Sequence, residues 1–122
     1  LLWAAAEGHA GAAEALLAAG ADGDARLPSG FTPLLFAARD GRAAVVRTLL
    51  KAGVDPNQAI PADKKRANGF APRPGTSALL LAVENGHFEL ALELVAAGAD
   101  PNDQRSGFAP LHALTWVRKP NR

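Results

Sequence analysis

The stretch GFTPLLFAARDGRAAVVRTLLKAGVDPN, residues 30–57, decides how the whole chain is read. Thr32 followed by Pro33 is a helix start. A threonine hydroxyl can take up a free backbone N–H, and proline suits the first helical position, where its missing donor is not needed. Leu34, Ala37 and Ala38 then recur at helical spacing until Gly41, a residue suited to the left-handed turn that ends a helix. A second periodic run, with Val45, Val46, Leu49 and Leu50 on one side, reaches Ala52 and closes at Gly53. The stretch therefore predicts two short antiparallel helices, over 33–40 and 43–52. Each is apolar on one side only, so the pair must bury that side against a neighbour.

The same unit recurs along the chain. Gly20-Ala21-Asp22, Gly53-Val54-Asp55-Pro56-Asn57 and Gly98-Ala99-Asp100-Pro101-Asn102 form one series of markers. Gly8-His9, Gly41-Arg42 and Gly86-His87 form another, always twelve residues earlier. Both series step first by 33 residues and then by 45, so one twelve-residue insertion separates the second unit from the third. Gly69-Phe70-Ala71-Pro72 imitates the unit start at Gly30 and the one at Gly107, but it is out of phase. A unit opening at Gly69 would put Arg73 at the core position of Leu34 and Leu111. It would also put Pro74 inside the first helix, at a cost of about 3 kcal/mol. Gly75, eleven residues before Gly86 as Gly30 is before Gly41, opens the third unit instead. The insertion is read as residues 58–74, an exposed excursion with a short helix near 62–67. Further helices are expected over 1–6, 10–19, 78–85 and 88–97, with another starting near Pro110. Leu79, Ala82, Val83, Leu90, Leu94 and Val95 repeat the core pattern in the third unit.

On these residues the chain resembles the ankyrin repeat family, in LLWAAAEGHAGAAEALLAAGAD and GTSALLLAVENGHFELALELVAAGADPN as well as in the opening stretch. The resemblance implies an all-α solenoid of stacked helix-turn-helix units joined by short turn or β-hairpin loops. It also implies a scaffold that binds other proteins through its concave face. One domain is expected over residues 1–122: a partial unit over 1–29, units over 30–74 and 75–106, and a partial unit over 107–122. The third unit is one residue short near Asp103. The tail, GFAPLHALTWVRKPNR, lacks the glycine break and resembles a variant unit with a loop after its first helix. Both ends carry apolar residues (Leu1, Trp3, Leu114), so further ankyrin repeats of the same chain are expected at each end. The family's Thr-Pro-Leu-His motif is incomplete throughout. Leu35 and Leu80 replace its histidine, and Ala109 stands where His112 would find a threonine. The family's threonine–histidine bond is therefore expected to be missing, at about 1 kcal/mol for each bond.

Composition bounds the function. The 122 residues carry a net charge of +1, too little for a field that would hold nucleic acid or a membrane surface. No apolar run is long enough to span a bilayer. Cysteine is absent, which removes disulfides, thiolate metal sites and a Cys nucleophile, and leaves the compartment unreadable. Alanine, glycine, proline and arginine make up 58 residues, a bias toward GC-rich codons such as those of many bacteria.

No motif for nucleotide binding, metal binding or catalysis is present, so neither an enzyme nor a cofactor is expected. His9 and His87 hold equivalent places two units apart, too far to share a metal, and read as loop hydrogen-bonding residues. His112 falls at the family's structural histidine. Asp22, Asp55 and Asp100 fill one turn position per unit and read as turn formers rather than acid–base or calcium groups. Lys64-Lys65-Arg66 reads as a solvated run.

The candidate protein-binding strip comprises Phe31, Thr76 and Phe108 near the turn tips. Arg39, Glu84 and Trp116 follow late in the first helices, with Asp40 and Asn85 beside them. Exposed aromatics beside arginine suit a binding hot spot. The alternative packs the phenylalanines on the neighbouring turn or on the long insertion. Two other functions compete with a binding scaffold: an accessory segment of an enzyme whose catalytic domain lies outside this chain, and a spacer.

Overall fold

The computed structural model describes residues 1–27, 30–61 and 75–102. Six helices occupy them: α1 Leu2–Glu7, α2 Ala10–Ala18, α3 Pro33–Asp40, α4 Ala43–Lys51, α5 Ala78–Glu84 and α6 Phe88–Ala96. Every boundary lies within one residue of the expected one. The helix expected at Pro110, the one near 62–67, and His112, Phe108, Trp116 and Lys64-Lys65-Arg66 fall outside the described residues.

Local chemistry sets these ends. The Thr32 hydroxyl accepts the Leu35 N–H at 3.2 Å and the Ser77 hydroxyl accepts the Leu80 N–H at 3.1 Å, so α3 and α5 start at equivalent side-chain caps. Gly41, at φ 72°, ends α3 in the left-handed region, where a side chain would be strained.

The helices form two layers. Inner α1 packs on α3 and α3 on α5, while outer α2 packs on α4, and each outer helix folds back on its own inner partner. Alanine permits the close approach: Ala4, Ala5, Ala37, Ala38 and Ala82 are buried between inner helices flanked by Leu34, Leu35, Leu79 and Leu80. Val45, Val46, Leu49, Leu90 and Leu94 complete the core from the outer layer. Each such leucine or valine contributes about 2 kcal/mol on burial. Leu50 is only half-buried and Val95 is exposed, so the expected core was one position too wide in each outer helix.

The hairpins locate the insertion. Leu27 N–H donates to Phe31 O, and Gly30 N–H to Leu27 O. One repeat later Ile60 N–H donates to Thr76 O at 2.9 Å, and Gly75 N–H to Ile60 O at 2.7 Å. Leu27 thus corresponds to Ile60, Phe31 to Thr76 and Gly30 to Gly75. The extra residues therefore enter between Ile60 and Gly75, at the point where the first hairpin carries only residues 28 and 29. This corrects the expected start of the exposed excursion at 58. Gln58, Ala59 and Ile60 are buried, and Ala59 bridges Ser77 in antiparallel fashion.

Candidate functional site

Arg39 closes the last turn of α3. Its guanidinium carbon lies 5.4 Å from the Phe31 ring centroid and 5.1 Å from that of Phe36. The two rings stack at 4.7 Å with planes 17° apart. Asp40 holds one edge of the guanidinium, Nε to Oδ1 at 3.0 Å and Nη2 to Oδ2 at 3.2 Å. A flat cation is thus fixed between an aromatic shelf and a carboxylate while 40% of its side chain stays in solvent. The cation–π contacts contribute about 0.5–1 kcal/mol at such an exposed place. Their larger effect is to order a long side chain before any partner arrives.

Two members of the expected strip are not accessible. Phe31 is 7% exposed and Thr76 2%. Phe31 covers its ring with Phe36, five residues along the same segment, because stacking removes two large apolar faces from water at once. Phe31 is buried, as the alternative reading expects, but the ring it stacks on is Phe36 of the helix that follows it rather than a neighbouring turn or the insertion. Thr76 sits in the hairpin ladder, its carbonyl bonded to Ile60. Glu84 and Asn85 are exposed at the end of α5, one repeat on from Arg39 and Asp40. The Asn85 amide donates to Leu81 O at 2.8 Å, finishing its own helix. Of the eight residues, Phe31, Arg39 and Asp40 form one cluster, Thr76 is buried in the next hairpin, Glu84 and Asn85 stand at the end of the adjacent helix, and Phe108 and Trp116 are not described.

His87 and the three turn aspartates hold backbone groups. His87 Nε2 lies 3.1 Å from Arg39 O, and because a carbonyl only accepts, Nε2 carries the hydrogen. Arg42 Nε makes the same reach one unit earlier, donating to Ala6 O at 3.2 Å. Asp22, Asp55 and Asp100 each accept, at 2.9 Å, the backbone N–H two residues on. Among the described residues no three His, Asp or Glu side chains are grouped as metal ligands would be.

Three residues that the sequence did not single out tie the hairpins together. The Thr32 hydroxyl donates to Gln58 Oε1 at 2.7 Å, and Gln58 Nε2 donates to Asp24 Oδ1 at 2.6 Å. The threonine–histidine bond is absent at Thr32 as expected, but its hydroxyl has another partner, 26 residues away, which offsets the loss. Arg26 Nη1 donates to Gly30 O and to Ala59 O, bridging successive hairpins. Asn57 donates to Gly98 O and accepts from Asp100 N–H across the next junction.

The family comparisons follow the same register. A model of ankyrin repeats in three copies matches residues 1–60, and a single ankyrin repeat matches residues 75–106. The chain belongs to the ankyrin repeat family. The two matches cover about three quarters of it, and the second opens at Gly75, leaving Gly69 between them. No curated protein matches the chain. Ankyrin repeats are in general non-catalytic protein–protein interaction modules, and the family supports that level of function here. No described helix is long and apolar enough to cross a membrane.

Proposed function

We propose that this ankyrin array is a protein-binding scaffold whose working surface is the concave strip through Arg39, Asp40, Glu84 and Asn85. The observation that carries the reading is the preorganised Arg39: held by two rings and a carboxylate, and still open to solvent. Hot spots favour arginine in such settings because little rotamer entropy is left to lose on docking. Phe31 enters as the support beneath Arg39 rather than as a contact. The partner is a protein, with no nucleic acid, membrane or cofactor required.

The test is affinity capture with the wild-type chain and then with Arg39→Ala and Arg47→Ala, each checked for unchanged helicity. A partner lost with Arg39→Ala and retained with Arg47→Ala supports the strip. Equal retention in both would move the site elsewhere.

A further inference from the structure

Asn85-Gly86 is a reactive pair by covalent chemistry alone. A backbone nitrogen can attack the carboxamide carbon of the asparagine before it and close a succinimide ring. Glycine, without a Cβ, leaves that nitrogen uncrowded. Among the described residues the other asparagines, Asn57 and Asn102, are followed by Gln58 and Asp103, and a side chain at that place crowds the attack. Asn85 and Gly86 are both exposed, and nothing but chain neighbours lies within 4 Å of where a Cβ on Gly86 would stand. The fold restrains the pair by hydrogen bonds rather than by burial. Asn85 Nδ2 donates to Leu81 O at 2.8 Å, and the Gly86 N–H donates to Val83 O at 3.1 Å. Both acceptors are carbonyls of the last turn of α5, and Asn85 is its C-cap, at φ −98° and ψ 9°. Attack needs the Gly86 nitrogen free of Val83 and the carboxamide turned away from Leu81, so it waits on the opening of that one turn. Helix ends open at a far lower free energy than the core does.

We propose that Asn85 is a self-modification site, deamidating at a rate set by the opening of the last turn of α5, and that its product adds a negative charge beside Glu84. In the step, the Gly86 nitrogen bonds to Cγ of Asn85, the Cγ–Nδ2 bond breaks, and ammonia leaves with the nitrogen's proton. Water then opens the imide at either carbonyl, giving aspartate or isoaspartate, so no oxidant or reductant is involved. The place is one where the other units already hold a carboxylate: Glu7 and Asp40 precede Gly8 and Gly41 as Asn85 precedes Gly86. The new charge stands next to exposed Glu84, one repeat on from the Arg39–Asp40 pair. A carboxylate only accepts, so the bond from position 85 to Leu81 O is lost with the amide. Isoaspartate also lengthens the backbone ahead of the Gly86 N–H that reaches Val83 O. Each conversion thus loosens the turn that restrained it, and refolding does not reverse it. Its effect on a partner rests on the concave strip being the working surface; the chemistry at Asn85 does not.

The test incubates the wild-type chain at mildly alkaline pH, where the backbone nitrogen gives up its proton more readily. A peptide of residues 78–92, which has the same pair without the packed turn, is incubated beside it. Digestion after glutamate isolates residues 85–89, away from the chain's other Asn-Gly pair at Asn68-Gly69. Mass spectrometry and isoaspartate methyltransferase labelling then score the conversion. The expected result is conversion at Asn85 in the folded chain, slower than in the peptide by about tenfold or more. Ser77→Ala, which removes the cap of the same short helix, and urea below the unfolding transition should each bring the rate several-fold closer to the peptide's. An unconverted Asn85 beside a converted peptide would overturn the proposal. So would a folded chain that matches the peptide, or one that ignores both Ser77→Ala and urea, since the turn would then set nothing. Conversion at Asn85 in a chain whose partner survives Arg39→Ala would remove the strip and leave the modification standing.

Discussion

His87 donates from Nε2 to the carbonyl oxygen of Arg39, 3.1 Å away, across the junction between the second and third units. That carbonyl is one of the last of α3 and has no partner within its own helix. The imidazole therefore closes one helix of one unit from the turn of the next. Arg42 does the same for Ala6. His87→Ala should lose about 1 kcal/mol. In a domain of this size that is a fall in melting temperature of about 4 °C, read by circular dichroism. His87→Arg should recover most of it, since arginine makes the equivalent bond at position 42.

Gly41 should be less replaceable than Gly8, although both have positive φ. A Cβ on Gly41 would lie 2.6 Å from Cε1 of the bonded His87 ring, whereas one on Gly8 would meet the flexible Arg42 side chain at 2.9 Å. Alanine at either position carries the left-handed strain of about 1–2 kcal/mol. Gly41→Ala should add about 1 kcal/mol by displacing the histidine from its carbonyl. In the His87→Ala background that extra loss should vanish, leaving the two glycines equal. A double-mutant cycle measured by urea unfolding checks this. A persistent difference would place the clash somewhere other than the ring.

Gln58 and the insertion that follows Ile60 should behave in opposite ways. Gln58 is buried and links Thr32 to Asp24, so Gln58→Leu strands a buried hydroxyl and should cost about 1–3 kcal/mol. Deleting residues 62–73 restores the spacing of the first hairpin. Because doubling a loop changes closure entropy by only about 0.6 kcal/mol, the deletion should leave helicity intact. Thermal melts of the two variants separate these outcomes. A deletion more damaging than Gln58→Leu would make the insertion part of the core.

The contrast between what the sequence displayed and what it hid has one cause. Helix positions follow from local signals, the Thr32-Pro33 start and the glycine doublets at Gly8, Gly41 and Gly86, and those appear at one-residue accuracy. The exposure of Phe31 and Thr76 depends on what lies against them, which no local pattern records. Gln58 was hidden for the same reason, since its partners are 26 and 34 residues away. A signal did exist: Thr32 without its histidine left a hydroxyl needing a partner, and Gln58 is the long amide of the next hairpin. The family match supports a binding module, and the choice of Arg39 within it comes from geometry alone.

Arg39 can be tested for both of its roles at once. On stability, Arg39→Ala removes a cation from the shelf of Phe31 and Phe36 and from Asp40. The group is partly exposed, so the loss should be about 1 kcal/mol or less. Arg47 and Glu93 pair at 2.7 Å on the outer helices, where both stand in solvent, and Arg47→Ala should also cost no more than about 1 kcal/mol. The two variants should therefore melt alike. Binding should separate them: with a partner in hand, calorimetric titration of Arg39→Ala should show a loss of about 2 kcal/mol or more, and Arg47→Ala almost none. Arg39→Lys sharpens the test. Lysine keeps the charge but lacks the planar fork that grips Asp40 through two nitrogens. If the ordered guanidinium is what the partner meets, lysine should bind nearly as weakly as alanine. Full affinity with lysine would reduce the role of Arg39 to its charge.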